Sequence, residues 1–277
     1  MTFRLLLTFA LLMLPATSQA ADCLSATLPI IYFSGHEGYQ AGSDATIEVR
    51  SDAKDRCGTL NVVHKSRSGL ASDVRVSATY AEFVESKNPA ELRYNEWVRK
   101  QLELVPLDSS KPADFLMPTG GGLDGQWLAI SSLYRSRKLL SASVTLTVCC
   151  ALPWASTRES LNIDADTGQA IAPSELIQVD VVGEACWRQF SKLEGFVDGE
   201  QHTTGDRFAK TYPLDRALSV DVDFGRALKN PAMWQFSDGG LSIRFGRLLG
   251  STDLTFACEI PAKDLAQFTK PGISVPF

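Results

Sequence analysis

The residues of this 277-residue chain that carry chemistry are six cysteines, three histidines and a few closely spaced carboxylates. The histidines, His36, His64 and His202, stand in three separate stretches. His36-Glu37 begins like a zinc-protease motif, but Gln40 occupies the position one helical turn on where the second ligand belongs. No metal site is expected. A serine nucleophile would need a G-x-S-x-G elbow and a histidine base, and the chain has no such elbow. Gly120-Gly121-Gly122 is followed by Leu123-Asp124 and not by a Lys-Ser/Thr pair, so it is no phosphate cradle. Asp164 with Asp166, and Asp221 with Asp223, have the residue type of a glycosidase pair. At i,i+2 in a strand, such carboxylates more simply form a solvated face. These patterns imply no catalytic residues and no cofactor.

The cysteines point elsewhere. Cys23, Cys57, Cys149, Cys150, Cys186 and Cys258 are an even set, as expected of disulfides in an oxidising compartment, with the pairing left open. Cys149 and Cys150 are neighbours, and a bond between them would be strained, so each is expected to reach a distant partner. The alternative, zinc, lacks a CxxC pair. Among the tryptophans that could line a sugar or protein site, Trp127, Trp154, Trp187 and Trp234, the ligand-contact candidate is Trp154. It follows Cys150-Ala151-Leu152-Pro153 in an expected loop, with no strand to pack from.

The start of the chain explains why the thiols would be oxidised. Arg4 precedes an apolar run from Leu5 to Leu14, Pro15 breaks it, and Ser18-Gln19-Ala20 sets small residues before a cleavage point. Residues 1–20 therefore read as a secretory signal peptide, cut near Ala20, too short to span a bilayer. Asp22 stands before Cys23, where lipid attachment requires a small residue, which argues against lipidation. No later run is long enough for a transmembrane helix. The mature chain is expected to be soluble and periplasmic or secreted. Its net charge of −5 argues against nucleic acid as a partner.

The elements that must position these residues form an α+β pattern of antiparallel sheets with a few packed helices, in two small disulfide-stabilised units. In the first, residues 21–110, strands are expected at Leu28–Phe33, Ala45–Val49, Leu60–His64 and Val74–Phe83. A helix then starts at the cap Asn88, with Pro89 next and Glu91 three residues on, and carries Tyr94, Trp97, Val98 and Leu102 along one side. Residues 111–125 read as linker. The second unit, 126–277, has strands at Gln126–Arg135, Leu139–Cys150 and Glu159–Ala165. In the middle one, Val144, Leu146, Val148 and Cys150 alternate with Ser143, Thr145, Thr147 and Cys149. A helix near Glu184–Gly195, a polar loop, a hairpin about Ser237–Gly240, a last strand through Cys258 and a short closing helix to Phe268 complete it.

Three stretches of the second unit resemble a known family. They are Leu161-Asn162-Ile163-Asp164-Ala165-Asp166-Thr167-Gly168-Gln169 with Ser174-Glu175-Leu176-Ile177, then Trp234-Gln235-Phe236-Ser237-Asp238-Gly239-Gly240-Leu241-Ser242-Ile243-Arg244-Phe245, then Glu259-Ile260-Pro261-Ala262-Lys263-Asp264-Leu265. In that order, over about 126–268, they are similar to the RsiV-like extracytoplasmic domains. That family includes the ectodomain of a lysozyme-sensing anti-sigma factor and an accessory domain of peptidoglycan deacetylases. The resemblance implies a module that binds a cell-wall-related ligand, a lysozyme-like protein or peptidoglycan glycan, through exposed strand edges and loops. Family members often carry Gly-Ala-His-Pro where this chain has Cys150-Ala151-Leu152-Pro153, so no role of that histidine carries over. The alternatives are an envelope hydrolase or deacetylase accessory protein, and a structural periplasmic protein without a small ligand.

Overall fold

The computed structural model describes residues 21–22, 45–49, 60–67, 75–105, 107, 125–149, 155–192, 195–197, 200–202, 214, 218, 223–245, 256–271 and 273. The expected signal peptide, the Leu28–Phe33 strand and Trp154 lie outside them.

One large mixed sheet dominates. Its strands are β1 (Ala21–Asp22), β2 (Ala45–Val49), β3 (Leu60–Arg67), β4 (Arg75–Phe83), β5 (Gly125–Arg135), β6 (Leu139–Cys149) and β7 (Ala155–Asp164). They lie in the order β2-β3-β4-β5-β6-β7, with β1 paired to β5. All pairs are antiparallel except β4 with β5, which run parallel from Arg75↔Gly125 to Thr79↔Ala129. Parallel neighbours need a crossover, and helix α1 (Pro89–Leu102) lies within it. The strands on either side of the expected linker at 111–125 are therefore neighbours in one sheet.

Helix α1 begins where its cap predicts. Asn88 Oδ1 accepts from the amides of Ala90 at 2.8 Å and Glu91 at 3.3 Å, and Asn88 Nδ2 donates to the Ala165 carbonyl at 3.2 Å. The carboxylate of Glu91, which the capping pattern would turn back on the cap, instead pairs with Arg135 and accepts from Ser86 Oγ. Ala90, Tyr94, Trp97 and Val98 are buried at helical spacing against Ala78, Leu128, Ile130, Leu133, Leu140, Ala142, Val144 and Ile163. A β-bulge between Ile130 and Ser132 keeps Leu133 in this core and turns Ser132 and Tyr134 to the opposite face.

A second core lies beyond that opposite face. Its small sheet is β10 (Trp234–Ser237), β11 (Gly240–Phe245) and β12 (Phe256–Pro261), antiparallel in that order. A two-stranded ribbon precedes it, β8 (Gly195–Val197) with β9 (Glu200–His202). Between β7 and β10 the described residues include the one-turn α2 (Pro173–Leu176), α3 (Val179–Phe190) and α4 (Asp223–Lys229). Trp187, Phe190, Phe224, Phe245 and Phe256 form a contiguous aromatic cluster, with Phe224 stacked on Phe245 at 4.3 Å between centroids. The Cys186–Cys258 disulfide, with Cα atoms 5.2 Å apart, ties α3 to β12 inside this core. Closing a 72-residue loop removes on the order of 4 kcal/mol of unfolded-chain entropy.

Several expected elements differ, among them these. The helix near Glu184–Gly195 starts earlier, at Val179. The polar loop before the hairpin contains α4. The closing helix is a 3-10 turn, Ala262–Gln267.

Candidate functional site

The seam between the two sheets is built from polar side chains. Strand β10 is an edge strand, and an edge buried without partners is costly. Here the serine and asparagine face of the large sheet satisfies it. Ser141 Oγ accepts from the Phe236 amide at 3.1 Å and donates to Asn162 Oδ1 at 2.8 Å. Asn162 Nδ2 donates to the carbonyls of Trp234 at 2.8 Å and Pro231 at 3.3 Å. The other edge of the small sheet is also occupied. Gln189 on α3 accepts from the Glu259 amide at 3.1 Å and donates to its carbonyl at 2.9 Å. Side chains thus occupy the edge groups of Trp234, Phe236 and Glu259.

Trp234 and Phe236 point into the second core, so Gln235 between them points the other way. It enters a closed ring of hydrogen bonds. Gln235 Nε2 donates to Ser132 Oγ at 2.6 Å, and Ser132 Oγ lies 3.0 Å from Ser143 Oγ. Arg158 Nη2 completes the ring, donating to Ser143 Oγ at 2.8 Å and Gln235 Oε1 at 2.5 Å. Both Nη2 protons are thereby used. Arg158 Nε is buried with no acceptor. Nη1 makes no hydrogen bond or ion pair with any described residue.

The polar face of the small sheet continues from Gln235. Register places Gln235, Ser242 and Glu259 in one cross-strand row, with Arg244 one row on, opposite Ala257. Glu259 accepts from Ser242 Oγ at 2.8 Å, and it forms no ion pair with Arg244 or Arg158 among the described residues. On the large sheet, Thr145 pairs with Arg158, and half-exposed Trp127 lies in the next row, opposite Thr147. Two polar sheet faces thus meet at an angle with Arg158 in the corner. Burial pulls the Arg158 guanidinium down to about 10, the nearby Arg244 charge pushes the same way, and Glu259 opposes them. Arg244 and Glu259 stand at the exposed rim, and the desolvation Arg244 does undergo lowers it, against Glu259.

Chemically, this corner offers guanidinium and hydroxyl donors, with Glu259 as its one carboxylate among the described residues. The Asp164–Asp166 pair does not converge on it. Asp164 Oδ1 instead accepts from Thr167 N at 2.7 Å, Thr167 Oγ1 at 2.9 Å and Asp166 N at 3.0 Å, closing the turn after β7, while Asp166 lies 3.1 Å from Lys138 Nζ. Asp223 is the first residue of α4, and Asp221 lies outside the described residues. Trp187 and Trp234, weighed as surface aromatics, are core residues. Of the cysteines, Cys186 and Cys258 are bonded, Cys149 ends β6, and Cys23, Cys57 and Cys150 lie outside the described residues. His64 lies in β3 and His202 in β9, on separate sheets, and His36 is outside the described residues. No group of three metal-ligating side chains occurs among the described residues, and no helix there is long and apolar enough to cross a membrane.

Sequence reasoning did not find Arg158, Gln235 or Arg244 as site residues. The one usable signal was an arginine in a strand whose same-face neighbours, Ser156, Ser160 and Asn162, are all neutral.

No protein-family profile matches the chain, and no curated protein matches it. Among solved structures, it is similar to a DUF3298 family protein from Pseudomonas aeruginosa PAO1, with a TM-score of 0.46 and 12% identity over 83% of this chain and 95% of that one. It is also similar to a member of the same family from Bacteroides fragilis NCTC 9343, with a TM-score of 0.42 and 10% identity over 84% and 96% of the two chains. What the fold and the site define is a class: an α+β module in which a large and a small sheet meet across a polar, arginine-bearing seam and a buried disulfide staples the second core.

Proposed function

We propose that the protein is an exported, soluble binding module of the bacterial envelope that engages a cell-wall-related ligand. The observation that carries this reading is the Cys186–Cys258 disulfide, buried in the second core. A cross-link of that kind belongs to an oxidising compartment, in keeping with the leader-like first twenty residues. The likeness of residues 126–268 to RsiV-like ectodomains supports a cell-wall ligand. The site supports binding, since Arg158 and Gln235 are held rigidly in a ring of hydrogen bonds that aims guanidinium donors at the seam.

Between the two ligand kinds, the cationic seam favours peptidoglycan, whose stem-peptide carboxylates and peptide-stripped muramic acids complement it, over a basic lysozyme-like protein. Co-sedimentation of the oxidised protein, lacking residues 1–20, with purified sacculi tests this, with an immobilised-lysozyme column run beside it. Salt-sensitive, saturable retention on sacculi is expected. Retention on neither support would overturn the reading.

A further inference from the structure

Ligand chemistry can be read from the donors the seam leaves unused. A purely structural strut would explain only Nη2 of Arg158, which ties β6 to β10 through Ser143 and Gln235. It does not explain a second guanidinium, Arg244, on the facing sheet, with no hydrogen bond or ion pair to any described residue. Nor does it explain why Glu259 is held by Ser242 and pairs with neither arginine. Two guanidiniums face one carboxylate, so the corner carries one uncompensated positive charge among the described residues. Its other lining groups, Ser132, Ser143, Thr145 and Gln235, are neutral.

The geometry points to a carboxylate-binding site at this seam, in which Arg158 Nη1 and the Arg244 guanidinium hold the monoanionic carboxylate of a sugar or peptide between the two polar sheet faces. A monoanion matches the excess charge, whereas a phosphate dianion would carry the corner past neutrality. Guanidinium donors pair well with carboxylate oxygens, and partial desolvation strengthens the bond. Burial lowers the proton affinity of both arginines, and a bound anion would oppose that effect. Trp127, a row beyond Thr145, is placed to meet the body of a ligand whose carboxylate lies in the corner. The site deepens the envelope-binding reading by naming the group recognised, and rests on it only for the source of the carboxylate.

The test titrates the oxidised protein with sodium N-acetylmuramate, its methyl ester and inorganic phosphate, followed by calorimetry and by the arginine Nε–H resonances. Saturable binding of the muramate, no binding of the ester and weaker binding of phosphate are expected. Arg244→Gln should weaken muramate about tenfold, the loss of one charged hydrogen bond, with an unchanged melting temperature. Arg158→Gln should abolish the saturation, its fold being checked by the dispersion of the remaining amide resonances. Equal binding of acid and ester, tighter binding of phosphate, or indifference to Arg244→Gln would each overturn the site. Sacculus retention that survives both substitutions would sink this site and leave the envelope reading standing. Muramate binding without sacculus retention would do the reverse.

Discussion

Arg158 Nη2 lies 2.5 Å from Gln235 Oε1, joining the last strand of the large sheet to the first strand of the small one across 77 residues of sequence. The bond sits in a ring with Ser132 and Ser143, so the angle between the sheets and the direction of the guanidinium are fixed together. Lower in the same seam, Asn162 fastens the β10 backbone.

Asn162→Ala should therefore be costly for a single polar truncation. It leaves the Trp234 carbonyl buried without its donor and Ser141 without its acceptor. A loss of about 2 kcal/mol is expected, read as a lower urea midpoint at constant slope. A change below a few tenths of a kcal/mol would mean the sheets are not docked through this residue.

Tyr94 offers a test of the first core. Its hydroxyl donates to the Ala81 carbonyl at 3.0 Å, and its ring meets Phe83 edge-on at 5.3 Å. Tyr94→Phe should cost about 1–2 kcal/mol by orphaning that carbonyl. Burial, with the Glu82 charge adding to it, holds the phenol far above its ordinary range. Because the folded value is raised, the contribution is intact below the unfolded value near ~10 and is lost as pH rises beyond it. Absorbance at 295 nm should show this tyrosine ionising only with unfolding.

The turn after β7 has the opposite sign. The hydrogen bond from the Thr167 amide, joined by those from its hydroxyl and the Asp166 amide and by the Lys138 charge, holds the Asp164 carboxyl below its ordinary range against the opposing effect of desolvation. A depressed carboxyl stabilises the fold above the ordinary carboxylate range, and that contribution fades as pH falls through the lowered value. Carbon-detected NMR should find the Asp164 midpoint below that of exposed aspartates, and Thr167→Ala should move it upward.

Backbone geometry makes two glycines indispensable. Gly240 has φ +128°, and a Cβ there would lie 2.1 Å from the Ile260 carbonyl oxygen. Gly168 has φ +71°, and its Cβ would lie 2.6 Å from the Pro89 oxygen at the start of α1. Alanine at either site should cost more than the ~1 kcal/mol typical of a strained φ alone, with Gly240→Ala the worse, measured by thermal melts.

Much of the fold was legible because local chemistry specified it. Asn88-Pro89 marked the start of α1, the alternation after Leu139 marked the two faces of β6, and Gly239-Gly240 marked the tight turn of the β10–β11 hairpin. Helix α3 was misplaced because its first residue follows Gln178, which makes no side-chain cap bond, so no capping signal exists to read. The site was hidden for a different reason. Alternation shows that Ser141, Ser143 and Thr145 share a face, but not whether that face meets water or another strand. Ser141 and Ser143 prove fully buried beneath β10. The pairing of Arg158 with Gln235 depends on long-range docking that no local pattern encodes.

Export and oxidation underlie the whole functional account, and one measurement reaches both. Protein recovered from the envelope of cells that naturally make it, alkylated before lysis and digested without reductant, should begin at Ala21 and yield a peptide pair joined through Cys186 and Cys258. Recovery of the chain with residues 1–20 still attached and both of those thiols alkylated would contradict it.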